Sequence, residues 1–196
     1  MKSSAHRQSP SVRPDLKAAG FTLIEALSAM TIAAILMAIA VPSFRYVTTA
    51  NRMSSDINGL LGDLQFARAE AIKQGLPVTV CATDDAATCK NDVNAWKTGW
   101  LVFVDNNGSG TIDPSDTILR VQKPFSNGEQ LQTATLSAIT FNREGFVSNA
   151  PGAVTMTLRD ATSNAQYTRC LSFTFIGAMS TQIAGKQTAG GVLCGP

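Results

Sequence analysis

The chain has 196 residues, of which 44% are hydrophobic and 15% charged, and its formal net charge is +2 at pH 7. The length is sufficient for an N-terminal helix followed by one small globular domain with its own core. A near-neutral chain has no general electrostatic reason to bind nucleic acid. The single histidine, His6, leaves the rest of the chain without the usual general base, which excludes histidine-dependent catalytic schemes there.

The first 20 residues are basic, because they hold Lys2, Arg7, Arg13 and Lys17 against Asp15 alone. Without them the formal net charge falls from +2 to −1, so the basicity of the chain belongs mostly to this segment. Positive segments next to a membrane helix stay on the cytoplasmic side. The residues after position 41 are therefore expected to lie outside the cytoplasm.

An apolar run follows at residues 21–41, and Glu25 is its one charged residue. About 20 apolar residues, rising about 1.5 Å each in a helix, span the hydrocarbon core of a bilayer. The small residues 18–20 precede the run, and no comparable cleavage site follows it, which argues against a secretory signal peptide. On apolar content alone, a simple N-terminal membrane anchor is an alternative interpretation of this run. A carboxylate in such a run is costly unless it has a partner, so Glu25 is a functional candidate.

The hexapeptide Gly20-Phe21-Thr22-Leu23-Ile24-Glu25 lies between a basic leader and an apolar run that ends at Pro42. It resembles the type IV prepilin signal. The resemblance implies that a prepilin peptidase cleaves between Gly20 and Phe21 and methylates the new N-terminus. It also implies that Glu25 pairs with the N-terminus of a neighbouring subunit during assembly. The alternative is a carboxylate that lies at the level of the lipid headgroups.

Beyond Pro42, apolar residues recur at spacings of three and four, which predicts that the helix continues to Gln74. Gly75 followed by Pro77 supplies a stop signal. A helix that begins at Phe21 is then a rod of about 80 Å. The apolar positions of its second half are Ile57, Leu60, Leu61, Leu64, Ala67, Ala71 and Ile72.

After Gly75 the pattern changes to short strands separated by turn residues. The predicted strands are 78–82, 99–105, 117–122, 138–142, 153–159 and 169–176, with a final piece near 192–194. Trp96 and Trp100 are interpreted as core aromatics, with partner anchors as the alternative.

Together these elements predict an α+β fold in which a long N-terminal helix packs against antiparallel β-sheet, as in type IV pilins. The helix has a transmembrane half and an amphipathic half. We expect three parts: a leader at 1–20, a transmembrane or filament-core helix at 21–48, and a periplasmic globular domain at 49–196.

All four cysteines lie in the part expected outside the cytoplasm. An even number in an oxidising compartment favours disulfides, and four cysteines allow three pairings. We favour Cys81 with Cys89, which closes a short loop, and Cys170 with Cys194, which ties the C-terminal tail to a strand. Zinc is the rival interpretation, but the chain has neither a C-x-x-C pair nor a histidine beyond the leader.

Residues 105–116 fit the template of a calcium-binding EF-hand loop, with Gly110 at the sixth position. Calcium requires several hard oxygen ligands around one centre. The alternative is a polar hairpin loop rich in turn formers, because the last position is Asp rather than Glu and the flanks predict strands. The candidate ligands are Asp105, Asn107, Ser109, Thr111, Asp113 and Asp116.

The block at 96–105, preceded by 66–72 and followed by 139–145, resembles the GspH/FimT group of minor pilins and pseudopilins. This resemblance implies a non-enzymatic subunit without a cofactor, held in the inner membrane by a single span and then assembled into a filament. Its partners are expected to be the prepilin peptidase and, through the N-terminal helix, other major and minor pilins. The favoured function is a minor pilin that primes or caps a type IV pilus.

Two alternatives remain. One is an H-type minor pseudopilin of type II secretion. The other is a minor pilin for DNA uptake, since some members of the group bind DNA through a C-terminal G-R-x-R motif. At that place the chain reads Gly177-Ala178-Met179-Ser180, and both arginine positions are neutral. Nucleic acid is therefore not an expected partner.

Overall fold

The computed structural model describes residues 20–195. The predicted leader therefore lies outside the described residues except for Gly20. The chain divides into two compact units with the boundary between Phe44 and Arg45.

One long helix, α1 (Leu23–Gln74), is the first element. It begins two residues after the predicted start, because Thr22 precedes the first helical turn as its N-cap. Gly75 ends the helix with a positive φ of 68°, and its N–H donates to the carbonyl of Ala71 at 3.0 Å. A glycine in this left-handed conformation is a common helix terminator, and the predicted end at Gln74 is confirmed.

The second half of α1 has a buried apolar stripe. Its members, spaced alternately by four and three residues, are Met53, Ile57, Leu60, Leu64, Ala67 and Ala71. This spacing places one side chain per helical turn on the same face. Leu61 is half-buried and Ile72 is 54% exposed, because both lie beside the stripe.

Eight strands and two short 3₁₀ helices follow α1. The strands are β1 (Val78–Ala82), β2 (Trp100–Val104), β3 (Thr117–Gln122), β4 (Gln130–Thr133), β5 (Ala138–Phe141), β6 (Val154–Arg159), β7 (Arg169–Phe173) and β8 (Met179–Ile183). The 3₁₀ helices are Ala95–Thr98 and Ala165–Tyr167. The first sheet has the order β3-β2-β1-β5 and the second has the order β4-β6-β7-β8, and all pairings are antiparallel.

The six main strand predictions are confirmed, but β4 and β8 were missed. The predicted piece at 192–194 was wrong, since Leu193 makes only an isolated bridge to Gln187 and β8 is the strand that pairs with β7. The strand predicted at 169–176 ends at Phe173, because the N–H of Gly177 donates to the carbonyl of Thr174 at 2.9 Å and closes a turn.

Both sheets contribute one face to a hydrophobic core around the stripe of α1. Trp96 and Trp100 are buried in this core, at 0% and 1% exposure, so the interpretation as core aromatics is confirmed. Their indole N–H groups donate to the carbonyl of Leu136 at 2.7 Å and to Asp63 Oδ2 at 2.9 Å. Each buried indole thus has the hydrogen-bond partner that burial requires.

The opposite faces of the sheets are covered by loops, which is why β1, β2 and β7 are buried at every position. On the first sheet, Leu101 and Phe103 form a second, smaller cluster with the disulfide of Cys81 and Cys89 and with Ile112. On the second sheet, the C-terminal tail lies across β7 and is tied to it at Cys170.

The segment before β4 is attached to α1 by an ion pair. Arg52 Nε lies 2.8 Å from Glu129 Oε1, and the Glu129 side chain is buried. Partial burial, together with the negative charge of Glu129, raises the pKa of the neighbouring Asp56 carboxyl.

The buried stripe of α1 predicts a large effect for one truncation. Leu64→Ala removes a fully buried side chain from the core, and we expect it to lower the free energy of unfolding by about 2–5 kcal/mol. Chemical denaturation of the full chain in detergent measures the effect. The control is Ile72→Ala on the same helix, which should change the value by less than about 0.5 kcal/mol because Ile72 is exposed. Equal effects of the two variants would contradict the packing described for α1.

Candidate assembly and processing site

The predicted cleavage site lies immediately before α1. Gly20, Phe21 and Thr22 are not helical, and the Phe21 side chain is 84% exposed. The peptide bond between Gly20 and Phe21 therefore lies in an exposed, non-helical segment of the described chain. Cleavage there would place the new α-amine one residue before the helix N-cap.

Thr22 caps the helix. Its Oγ1 accepts a hydrogen bond from the N–H of Glu25 at 3.3 Å, and its carbonyl accepts from the N–H of Ala26 at 3.1 Å. Thr followed three residues later by Glu is the spacing of a capping box. Sequence analysis did not identify Thr22 as a functional residue, although this spacing was the signal that would have found it.

Glu25 lies in the first turn of α1, where the unpaired N–H groups of the helix give a partial positive charge. A carboxylate is favourable at this end of a helix. The structure thus places Glu25 and Phe21 at the same helix end, four residues apart in the chain.

The helix around Glu25 has an open apolar surface. Every residue at positions 20–48 is exposed, including Leu23 at 78%, Met30 at 70% and Ile39 at 69%. Among the described residues, α1 is the one helix that is long and apolar enough to cross a membrane.

The hydroxyl groups in the apolar run are satisfied within the helix. Ser28 Oγ donates to the carbonyl of Glu25 at 2.9 Å, and Thr31 Oγ1 donates to the carbonyl of Leu27 at 2.8 Å. Such local bonds let hydroxyls enter an apolar medium without an unpaired donor. Glu25 is then the one side chain of the run whose charge requires a partner from elsewhere.

The four cysteines form the favoured pairs, Cys81 with Cys89 and Cys170 with Cys194. Cys81 is in β1, and its bond closes the loop before the first 3₁₀ helix. Cys170 is in β7, and its bond holds the tail over the second sheet. Both bonds lie on the loop-covered faces of the sheets and join segments that would otherwise be tethered only by short polar contacts.

The loop at 105–116 is folded around Asp105, which is fully buried. Asp105 Oδ1 accepts from the N–H of Ser109 at 2.9 Å, and Oδ2 accepts from the N–H of Gly110 and from Thr79 Oγ1, both at 2.8 Å. Ile112 turns inward onto the small cluster of the first sheet. The loop is therefore a cover for this sheet as well as a connection between strands.

The other candidate calcium ligands also bond within the loop. Asp116 accepts from the N–H of Asn106 at 3.0 Å and of Asp113 at 2.9 Å, and Asn107 Nδ2 donates to Asp113 Oδ2 at 2.7 Å. Ser109 Oγ donates to the carbonyl of Thr111 at 2.8 Å. Hydrogen bonds from the side chain and backbone of Ser115 lower the pKa of the Asp113 carboxyl. In the described part of the chain, no three His, Cys, Asp or Glu side chains converge as metal ligands.

The turn at Gly177, where the DNA-binding motif of related proteins would begin, is packed on α1. Arg68 donates from Nη1 to the carbonyl of Gly177 at 2.8 Å and from Nη2 to that of Ile176 at 3.2 Å. A Cβ at Gly177 would lie 2.6 Å from the carbonyl oxygen of Gly145, and φ there is +75°. Close packing and backbone conformation therefore account for this glycine.

The loop at 105–116 leads to a prediction about calcium. We expect no saturable heat when millimolar calcium is titrated into the full chain in detergent, because the described acidic side chains of the loop do not converge on one centre. Isothermal calorimetry tests this, with Asp105→Asn as the matched variant. Saturable heat in the natural chain that is lost in the variant would contradict the expectation and establish the EF-hand-like site.

The family model of the type II transport protein GspH matches residues 56–177, and the model of the prokaryotic N-terminal methylation motif matches residues 15–41. No curated protein matches the chain.

Two crystal structures of the type IV minor pilin FimU from Pseudomonas aeruginosa strain PAO1 are similar to this chain. The crystal form in space group P21 has 20% identity and a TM-score of 0.49, and the match covers 72% of this chain and 90% of that chain. The form in P65 has 20% identity and a TM-score of 0.47, and the match covers 69% of this chain and 90% of that chain.

The GspH model covers more than half of the chain and includes the second half of α1, the first sheet and most of the second sheet. The methylation motif covers the cleavage site, Glu25 and the apolar run. The chain therefore belongs to the GspH family of type IV minor pilins and pseudopilins, and it carries the N-terminal methylation motif.

Proposed function

We propose that this chain is a minor type IV pilin that is cleaved between Gly20 and Phe21, methylated at Phe21, and assembled at or near the tip of a pilus. The observation that supports it best is the apolar half of α1, which is exposed along its whole length and bears one acid in its first turn. A surface of this kind is stable in a bilayer or against other apolar helices and unstable in water.

Cleavage changes the charges at the start of α1. It frees an α-amine next to Thr22, at the positive end of the helix dipole, and the carboxylate of Glu25 is the charge of opposite sign in the same turn. In an assembled filament, the carboxylate pairs with the amine of a neighbouring subunit. A slip in register leaves two unpaired charges in an apolar medium, so the pair selects one register.

In this function the protein is not an enzyme and requires no cofactor. It is held in the inner membrane by its apolar helix, with the domain that contains both sheets in the periplasm, where disulfides persist. The prepilin peptidase acts on it first. Other major and minor pilins then contact the exposed apolar side chains of α1.

A second candidate is an H-type minor pseudopilin of the type II secretion system. The description of the matching family, a type II transport protein, favours it. The physical role of α1 and Glu25 is the same in both machines. Deletion of the gene distinguishes the two functions. Loss of surface pili would identify a pilin, and loss of the secretion of folded proteins would identify a pseudopilin.

The processing step is tested by the mass of the mature protein. We expect the chain purified from membranes to begin at Phe21 and to carry one methyl group on its α-amine. N-terminal mass spectrometry measures both. A mature chain that begins beyond Pro42 would contradict the proposal, because the apolar helix would then be lost.

The role of Glu25 is tested by substitution. Glu25→Ala should still be cleaved after Gly20 but should enter filaments at least about tenfold less well, because the amine of the neighbour loses its partner in an apolar medium. Immunoblotting of sheared filaments against membranes measures the incorporated fraction. Ser28→Ala is the matched control, because its hydroxyl bonds only within its own helix. Equal incorporation of the two variants would remove the role assigned to Glu25.

A further inference from the structure

The two edges of the first sheet differ. The edge of β5 is closed by the chain that follows it: Phe141 bridges to Val147, and the N–H of Ser148 donates to the carbonyl of Thr140 at 2.9 Å. The other edge is β3, which pairs with β2 alone within residues 20–195. The outer backbone N–H and C=O groups of β3 are therefore open to another strand.

Two apolar side chains of β3 lie exposed on one face of the sheet. A register shift between Val102 and Phe103 sets Ile118 opposite Phe103 and Val121 opposite Leu101. Residues directly opposite each other share a face, so the shift brings Ile118 and Val121 to the same side although they are three apart in sequence. Ile118 is 40% and Val121 is 46% exposed, whereas their cross-strand neighbours are fully buried beneath the loops.

On its other face, the β3 strand is attached to α1 through Arg120. Arg120 Nη1 lies 2.9 Å from Asp63 Oδ1, and the guanidinium lies 3.6 Å from the ring centroid of Phe66. The one charged side chain of the strand is thus directed to α1. The strand has no proline, lysine or acid at its edge, and its register shift leaves residues 120–122 in regular pairing with β2. A preformed edge of this kind binds a partner strand with little loss of conformational freedom.

We propose that the open edge of β3 binds an extended segment of a neighbouring pilin-type subunit, which adds a strand to the first sheet. The inference rests on the proposed function. The backbone edge requires an extended chain, and Ile118 and Val121 require apolar side chains at alternate positions of that chain. Beside Val121, a groove between Thr83 and Pro124 is open to a further side chain of the same segment.

Site-specific photo-crosslinking in the full chain, in its own cells, tests the inference. The photoreactive residue p-benzoylphenylalanine is placed at Val121, at Ile35 in the exposed apolar helix, and at Ile183 in β8. Ile183 is the matched control, because it is an exposed aliphatic residue on an edge strand of the second sheet. Cross-linked peptides are identified by mass spectrometry.

We expect the probes at Val121 and Ile35 to cross-link to chains that carry their own N-terminal methylation motif. The probe at Ile183 should form no cross-link to the segment that the probe at Val121 captures. Cross-links to such chains from Ile35 but not from Val121, or equal capture by Val121 and Ile183, would overturn the inference about β3. Absence of such cross-links at both Val121 and Ile35 would instead overturn the proposed function, and the inference with it.

A variant gives a second measurement. Ile118→Lys with Val121→Lys should lower incorporation into filaments by at least about tenfold relative to Ile183→Lys, because two charges would face an apolar strand. Leader removal and formation of both disulfides show that the variant is processed and folded. Normal incorporation of the folded variant would overturn the inference. If the variant does not fold, the cross-linking at Val121 decides.

Discussion

The apolar surface of the first half of α1 is the constraint on which the behaviour of this protein depends. Removing one large apolar side chain from water is worth about 1.5–3 kcal/mol, and more than ten such side chains between Phe21 and Phe44 are exposed. Their summed transfer free energy exceeds the whole stability of a typical domain, about 5–15 kcal/mol. The surface must therefore be covered by lipid or by other helices, which explains why a membrane and then a filament are the environments proposed for it.

Within the apolar run at residues 21–41, the polar side chains bond within their own helix, except for the carboxylate of Glu25, whose charge has no partner there. The hydroxyls of Ser28 and Thr31 bond to their own helix, and Thr22 caps its first turn. Glu25 alone in this run carries a charge that needs a partner of opposite sign, and the proposed cleavage before Phe21 would create one. Apolar packing provides most of the attraction between subunits but specifies no register. The proposed charge pair would contribute the specificity that apolar contact lacks.

The rest of the chain shows how two sheets are closed against solvent without a second helix layer. One face of each sheet packs around the stripe of α1, and the other is covered by loops that the two disulfides hold in place. Coverage is incomplete at β3, where Ile118 and Val121 are 40% and 46% exposed. In the proposed filament, such an edge would let the folded domain bind a neighbour in addition to the contacts of the helix.

The sequence by itself determined the features that are local in the chain. The helix end at Gln74 and the central strands follow from contiguous residues, and they agree with the structure. The hexapeptide around Glu25 is also contiguous, and it lies within the match to the N-terminal methylation motif. The tertiary structure decided what depends on distant partners. Strands β4 and β8 have weak apolar patterns. β4 forms because it pairs with β6, which follows only after β5, and β8 forms because the turn at Gly177 folds it back onto β7. The inward turn of Asp105 and the open edge of β3 were decided in the same way, since burial and exposure of a side chain depend on which segments pack over it.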